Sequence, residues 1–248
     1  MDNNNYRNSY PVPSPAWYRK KWGRIVILFL LVFLILIILA SLLFSSLFKQ
    51  SKKDQLATLG EEIFQEETKS PERLLAEKAE APFWGNQQAG LVIVEFADFQ
   101  CPYCRDEFPI IREVSLKYKN DILYIYRQFP VFENSLLLSQ STLCANEQGK
   151  FWQLHDKFFL YKWQEVTGDV IKNLARQAGL DLQKFDECIK SEKYREAVLQ
   201  DASDAQKLGV SGTPTFFING HLLAGVITKE QWEKIIGEYK RLTEKTVD

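Results

Sequence analysis

The chain has 248 residues, 46% of them hydrophobic and 25% charged, and its 31 basic side chains are balanced by 32 acidic ones. A net charge near zero excludes the strongly basic surface of a nucleic-acid binder, so no nucleic acid is expected as a partner. Abundant aromatics (six Trp, ten Tyr, 17 Phe) with nine Pro and a single Met exclude a low-complexity polypeptide, and predict one packed core with accessory sequence.

The accessory sequence comes first. Residues 1–16 are rich in Asn, Ser and Pro and read as disordered; with the basic stretch that follows they make a short tail over 1–24. Ile25 to Phe48 is a run of 24 residues without a charge. At ~1.5 Å per residue it is long enough for roughly 30 Å of hydrocarbon, and it predicts one transmembrane helix. A cleavable signal peptide is the alternative, but its apolar region spans about 7–15 residues before a small-x-small site, shorter than this run. Arg7, Arg19, Lys20, Lys21 and Arg24 precede the run and Lys49, Lys52 and Lys53 follow it, which predicts a cytoplasmic N-terminus and an extracytoplasmic remainder. Trp17, Tyr18 and Trp22 fit an interfacial aromatic belt. The charged segment 49–81 has too few apolar positions for a core and reads as a stalk.

A globular domain is expected over 82–248. The apolar, β-branched run LVIVEFADF (Leu91–Phe99) reads as a strand, and CPYC follows at once. A helical pattern then runs through CRDEFPIIREVSLKYKN, with Phe108, Ile111, Val114 and Leu116 as its apolar positions and Pro109 interrupting the hydrogen bonding. DILYIYRQFP is the next strand. From about 134 to 209 the pattern is helical throughout, punctuated by Gly149, Gly168, Gly179 and Gly209. TPTFFI and HLLAG then flank Asn219-Gly220, a hairpin signal, and TKEQWEKIIGEYKRL is a closing amphipathic helix.

Two cysteines three positions apart fit a redox dithiol, half a zinc site or a small structural disulfide. Zinc needs four ligands; Cys144 and Cys188 stand alone on helices and His155 and His221 do not pair at ligand spacing, so no metal is expected. A structural disulfide across so short a loop is disfavoured by the helix that follows. At a strand–helix junction the first-turn N–H groups and the helix dipole favour an anion, which makes Cys101 the thiolate nucleophile and Cys104 the resolving thiol. Cys101 is expected to be exposed and Cys104 buried. Pro102 stiffens the turn and Tyr103 offers an aromatic surface beside the sulfur. Thr213-Pro214 directly precedes a strand, where proline cannot donate to the ladder and a cis bond fits.

Taken together, WGNQQAG, LVIVEFADFQCPYC, ANEQGKFWQLHDKFF and LGVSGTPTFFING resemble the DsbA-like thiol-disulfide oxidoreductases, a thioredoxin-fold family with a helical insertion, over about residues 82–245. The resemblance implies an α/β thioredoxin-like fold with an all-helical insertion, here preceded by the transmembrane helix. It implies that Cys101 and Cys104 are the catalytic pair, needing no cofactor beyond their own disulfide. The loop of Thr213 and Pro214, with Pro102 and Tyr103 near the sulfur, would bind substrate. Glu95 would be a buried carboxylate that handles the proton of Cys104; a surface carboxylate on an edge strand is its alternative. Clients would be exported proteins with free thiols, reoxidation would fall to a membrane quinone-linked thiol oxidase, and the domain would sit outside the cell membrane. A Cys101 thiol about three pH units below ambient would favour the reduced form by about 4 kcal/mol, roughly 90 mV, and make the protein an oxidant. An isomerase or reductase using the same pair, and a tethered binding module without turnover, are the rival readings. His155 is expected to pack or cap a helix rather than to react. An oxidising compartment favours a structural disulfide between Cys144 and Cys188 over two buried free thiols.

Overall fold

The computed structural model describes residue 25 and residues 28–44, 71–162 and 165–245. The expected N-terminal tail, residues 49–70 of the expected stalk and the ends of the apolar run lie outside these. The chain divides into two compact units, Met1–Gln55 and Leu56–Asp248. In the first, residues 28–44 form a helix (α1) whose side chains are exposed at every position. Among the described residues no helix is long and apolar enough to cross a membrane; the expected span of 25–48 falls partly outside them.

The second unit is built on a sheet of order β1-β3-β2-β4-β5. Its centre is β2 (Leu91–Ala97), buried at every position because both of its faces are covered. The chain crosses through α3 (Pro102–Lys117) and returns as β3 (Ile122–Gln128), parallel to β2. On the other side of β2 lies β4 (Thr215–Ile218), antiparallel, and then β5 (His221–Ala224). Asn219 and Gly220 join these two strands at φ +47° and +90°, the left-handed pair that a two-residue hairpin turn requires. The outer strand β1 (Phe83–Gly85) pairs antiparallel with β3 and is an element that sequence reading missed.

The period of two along β2 sorts its side chains. Leu91 and Ile93 join Ile111 and Val114 of α3 and Trp232, Ile235 and Ile236 of α9 (Lys229–Lys245) in one core. Val92, Val94 and Phe96 face the opposite side, with Phe217, Ala205 and Val210. α3 runs on through Pro109, which is exposed, so the hydrogen bond that proline cannot donate is missing without ending the helix. Leu116, read as an inward position, is 47% exposed.

Between β3 and β4 the chain forms α4 (Ser135–Asn146), α5 (Phe151–Leu160), α6 (Gly168–Gln177), α7 (Leu182–Lys190) and α8 (Arg195–Lys207). Thr167 caps α6 and Asp181 caps α7, each accepting from first-turn N–H groups. These helices enclose a third core, which also takes in Cys101, Cys104, Phe99 and Phe108. The dithiol therefore sits where the insertion's core meets the thioredoxin-like layers.

The segment assigned to the stalk contributes to the domain at its C-terminal end. α2 (Pro71–Ala76) docks there because Arg127, fully buried, donates to the carbonyls of Leu75 and Ala76 at 2.8 and 3.0 Å while pairing with Asp201 and Asp204 at 3.0 and 2.8 Å. The buried guanidinium meets two carboxylates and two helix-terminal carbonyls through its terminal nitrogens, and loss of Arg127 would leave both buried acids without their shared cation.

Cys144 of α4 and Cys188 of α7 are joined by a disulfide, with Cα atoms 5.9 Å apart and a sequence separation of 44. In the chain-entropy picture a loop of that size stabilises the fold by roughly 4 kcal/mol. Replacing both cysteines by Ala is expected to lower the unfolding free energy by up to about 4 kcal/mol in a denaturant titration, the active-site pair being held in one redox state. An unchanged midpoint, or four reactive thiols in unfolded protein treated only with the mild reductant that opens the active site, would contradict the bridge.

Candidate active site

Strand β2 ends at Ala97, and the turn that follows delivers Cys101 to the N-cap of α3, with φ −66° and ψ 123°. That turn is fixed by Asp98, whose buried carboxylate accepts from the N–H groups of Gln100 (2.7 Å), Val131 (2.6 Å) and Phe132 (3.1 Å) and from the Ser135 hydroxyl (2.6 Å). One side chain thus locks the segment before the cysteines to the loop that leaves β3. Pro102 occupies the first turn of α3, where its missing N–H costs no helical bond.

Cys101 and Cys104 are both free thiols. Their environments differ in kind. The Cys101 thiol is lowered to about 6, first by the Cys104 S–H, which donates to it, and further by the Thr213 side chain and the backbone N–H groups of Cys104 and Tyr103, against the opposing effect of burial. These N–H groups act at electrostatic range, since no full capping hydrogen bond closes on the sulfur. The Thr213 carbonyl, 3.3 Å from Cys101 Sγ, accepts only from the thiol form and so works against the thiolate. The net balance still favours the anion. Cys104, fully buried, is pushed far above the thiol range by burial first, then by its bond to Cys101 and the nearby Glu95.

The expected exposure contrast is smaller than the chemical one. Cys101 is only 3% exposed, against 0% for Cys104. Its neighbours Pro102 and Tyr103 are exposed, and Thr213, whose carbonyl meets its sulfur, is partly exposed. The Thr213-Pro214 bond is cis, and the loop lies directly against Cys101. Tyr103 is 63% exposed, while Cys144 and Cys188 are bonded to each other within the insertion core.

Glu95 lies in the middle of β2, opposite Tyr126 on β3 and Phe216 on β4, and is 2% exposed. This excludes the edge-strand alternative. The Tyr124 hydroxyl donates to its carboxylate. Burial raises Glu95 to about 8, with Glu107 and Cys101 pushing the same way and the Tyr124 hydrogen bond opposing. A carboxyl raised on folding stabilises the fold least at high pH: relative to an ordinary value of 4.5, Glu95 costs about 3 kcal/mol at pH 7, a cost that vanishes below about 4.5 and grows until about 8. Retaining such a residue in a central strand points to chemistry rather than stability.

His155 is 2% exposed, packed edge-on to Phe99, Tyr126, Trp152 and Phe159, with Nδ1 2.9 Å from Asp156. Burial lowers its proton affinity. Packing is its observed role. Sequence reading missed Tyr124, Asp98 and Glu107. Glu107 had a readable signal, because it follows Cys104 by three and precedes Ile111 by four, which places a carboxylate on the inward stripe of α3. Among the described residues no cluster of His, Cys, Asp or Glu is arranged to hold a metal ion.

The sequence and the fold resemble those of known proteins. The chain is 34% identical over 139 residues to the Na(+)/H(+) antiporter NhaA 3 of Salinispora tropica, a match that covers 55% of this chain and 21% of that one; it spans about a fifth of the curated relative's length. A thioredoxin-like oxidoreductase from Silicibacter pomeroyi superposes with a TM-score of 0.60 at 26% identity, covering 67% of this chain and 96% of the other. The thiol-disulfide exchange protein α-DsbA2 from Wolbachia pipientis shares the fold with a TM-score of 0.63 at 22% identity, over 75% and 98% of the two chains. The family model described as thioredoxin matches residues 77–238, the region that holds the dithiol, the cis-proline loop and the helical insertion. The chain belongs to the thioredoxin family.

Proposed function

We propose that the chain is a protein thiol-disulfide oxidoreductase that oxidises client dithiols through the Cys101–Cys104 pair. The observation that carries this reading is the chemical asymmetry of the two sulfurs, one stabilised as a thiolate beside the Thr213-Pro214 loop and the other held protonated in the core. In the oxidising direction a client thiolate attacks Cys101 Sγ. The Cys101–Cys104 bond breaks, its electron pair goes to Cys104, and Cys104 takes a proton from the Glu95 carboxyl. A second client thiolate then attacks the client sulfur of the mixed disulfide, and Cys101 leaves as the stable thiolate. The client gains a disulfide and the protein ends as the dithiol; no cofactor is needed. Thr213, Pro214, Pro102 and Tyr103 border the sulfur and are assigned to client contact.

The size of the thiolate effect is smaller than the sequence-based expectation. A thiol at about 6 lies one unit below pH 7, which favours the reduced form by about 1.4 kcal/mol, or roughly 30 mV for two electrons, a third of the expected shift. This still favours oxidation, but an isomerase or reductase using the same residues is a live second reading. A non-catalytic binding module is disfavoured by the intact pair, the buried Glu95 and the apposed loop. Reoxidation is assigned to a membrane quinone-linked thiol oxidase, and the clients to exported proteins carrying free thiols.

We also propose that Ile25–Phe48 anchors the domain on the extracytoplasmic side of the cell membrane with the N-terminus cytoplasmic. The support is the uncharged run and the apolar side chains that α1 exposes throughout, among them Leu28 at 63%, Phe33 at 63% and Phe44 at 70%. The full chain is expected to stay with membranes through an alkaline carbonate wash, and release into the supernatant would overturn the anchor.

For the chemistry, Cys104→Ala is expected to accumulate mixed disulfides with reduced, unfolded client proteins, since the resolving sulfur is gone. Cys101→Ala should trap few, because Cys104 is buried and holds its proton. Equal trapping by the two variants, read on non-reducing gels, would overturn the assignment of roles.

A further inference from the structure

Glu107 is fully buried on α3, one helical turn beyond Cys104, and the exchange chemistry described above makes no use of it. Its two oxygens are fixed by donors from just before and within α9: Oε2 accepts from the Ile227 N–H at 2.7 Å and Oε1 from Trp232 Nε1 at 2.8 Å. Trp232 is itself fully buried and packs edge-on against Phe216, the residue that stands opposite Glu95 in the sheet. Glu107 acts electrostatically on both members of the neighbouring Glu95–Tyr124 hydrogen bond. Glu95 shares the face of β2 that Leu91 and Ile93 turn toward α3 and α9, and Trp232 and Phe216 link it to Glu107.

We propose that Glu107 is a positioning residue of the thiol-disulfide site: held by the Ile227 N–H and Trp232, its carboxylate makes ionisation of Glu95 unfavourable and so keeps Glu95 loaded with the proton that Cys104 needs. The inference rests on the exchange reading of the Cys101–Cys104 pair. The proton balance is simple. When the disulfide opens, the Cys104 thiolate takes the Glu95 proton, leaving Cys104 as thiol and Glu95 as carboxylate; two neighbouring anions then favour rapid return of a proton from water to Glu95.

The groups facing these carboxyls support a two-carboxyl unit. From β2 comes Glu95, from β3 Tyr124 and, near it, Tyr126, and from α3 itself Cys104 with Cys101 at its start. Charges that neighbouring helices bring to α3 are paired with side chains of α3 itself: Lys229–Glu113 at 2.6 Å, Glu233–Lys117 at 2.7 Å and Asp156–Arg112 at 3.0 Å. No cation is among the groups that act on either buried carboxyl. Burial raises Glu107, but a donor on each of its two oxygens opposes this and favours its carboxylate form, whereas Glu95 accepts from Tyr124 alone. Two such groups titrate as a coupled pair.

The test follows the infrared carboxyl band of Glu95 in the reduced full-length protein across pH 5–10, the band being identified by its loss in Glu95→Gln. Glu107→Gln removes the charge and keeps an acceptor oxygen. It is expected to lower the Glu95 midpoint by on the order of one pH unit, and to move the alkaline limb of the client exchange rate down by the same amount. Trp232→Phe removes one donor from the Glu107 carboxylate while keeping an aromatic ring, and is expected to shift the midpoint in the same direction by less. An unmoved or raised midpoint in Glu107→Gln, with only a lower melting temperature, would make the residue a structural tie between α3 and α9 and overturn the proposal. If Glu107→Gln does not fold, an unmoved midpoint in Trp232→Phe overturns it. The band is read without client, so failure of the exchange reading shows as absent mixed disulfides, independently of this shift.

Discussion

Burial of one sulfur beside a stabilised partner is the constraint on which the rest of the structure depends. A thiolate needs donors, and Cys101 has them because β2 ends where α3 begins and because Cys104, one turn on, directs its S–H back at Cys101. Cys104 can serve as that donor only while it stays protonated, and it stays protonated because the insertion core and the sheet together keep water from it. The low proton affinity of one sulfur and the high affinity of the other are therefore one arrangement seen from two sides. Moving Cys104 toward solvent would weaken both.

The remaining architecture follows from keeping that corner dry yet open at one edge. The helical insertion supplies the apolar cover, with Phe159 of α5 in ring contact with both Phe99 and Phe108. Asp98 pins the turn before Cys101 to the loop leaving β3, and the Thr213-Pro214 loop closes on the sulfur from β4. Such a corner carries a thermodynamic cost. Glu95 and Glu107 both sit where burial opposes their charge, which lowers stability at neutral pH relative to apolar residues of similar size. The disulfide ties α4 to α7, and Arg127 ties β3 to α8 and α2, elsewhere in the same domain.

Much of this was legible in the sequence where local chemistry is strong. The LVIVEFADF run, the CPYC pair at its end, the Asn219-Gly220 turn and the glycine-punctuated insertion each carry a signal confined to a few neighbouring residues. What stayed hidden depends on contacts across the fold. β1 is three residues long and exists through its pairing with β3, so FWG alone has no strand periodicity. α2 lies in a charged segment and is held by Arg127, 51 positions beyond Ala76. Glu107 was passed over because it sits in the polar run Arg105-Asp106-Glu107, where only the helical stripe separates it from its solvent-facing neighbours. Cys101 was expected to be exposed because nucleophiles must be reached, yet it is 3% exposed and is reached at an edge.

The central claim, that Cys101 is a thiolate at neutral pH while Cys104 keeps its proton, is tested most directly by the reduction potential of the pair as a function of pH. Reduction below the Cys101 midpoint takes up two protons with two electrons, and above it only one. The account predicts a slope of about −59 mV per pH unit at low pH that breaks near 6 to about −30 mV and holds that value through pH 8. A single slope of about −59 mV across the whole range would mean that both sulfurs are thiols at neutral pH, and would contradict the account.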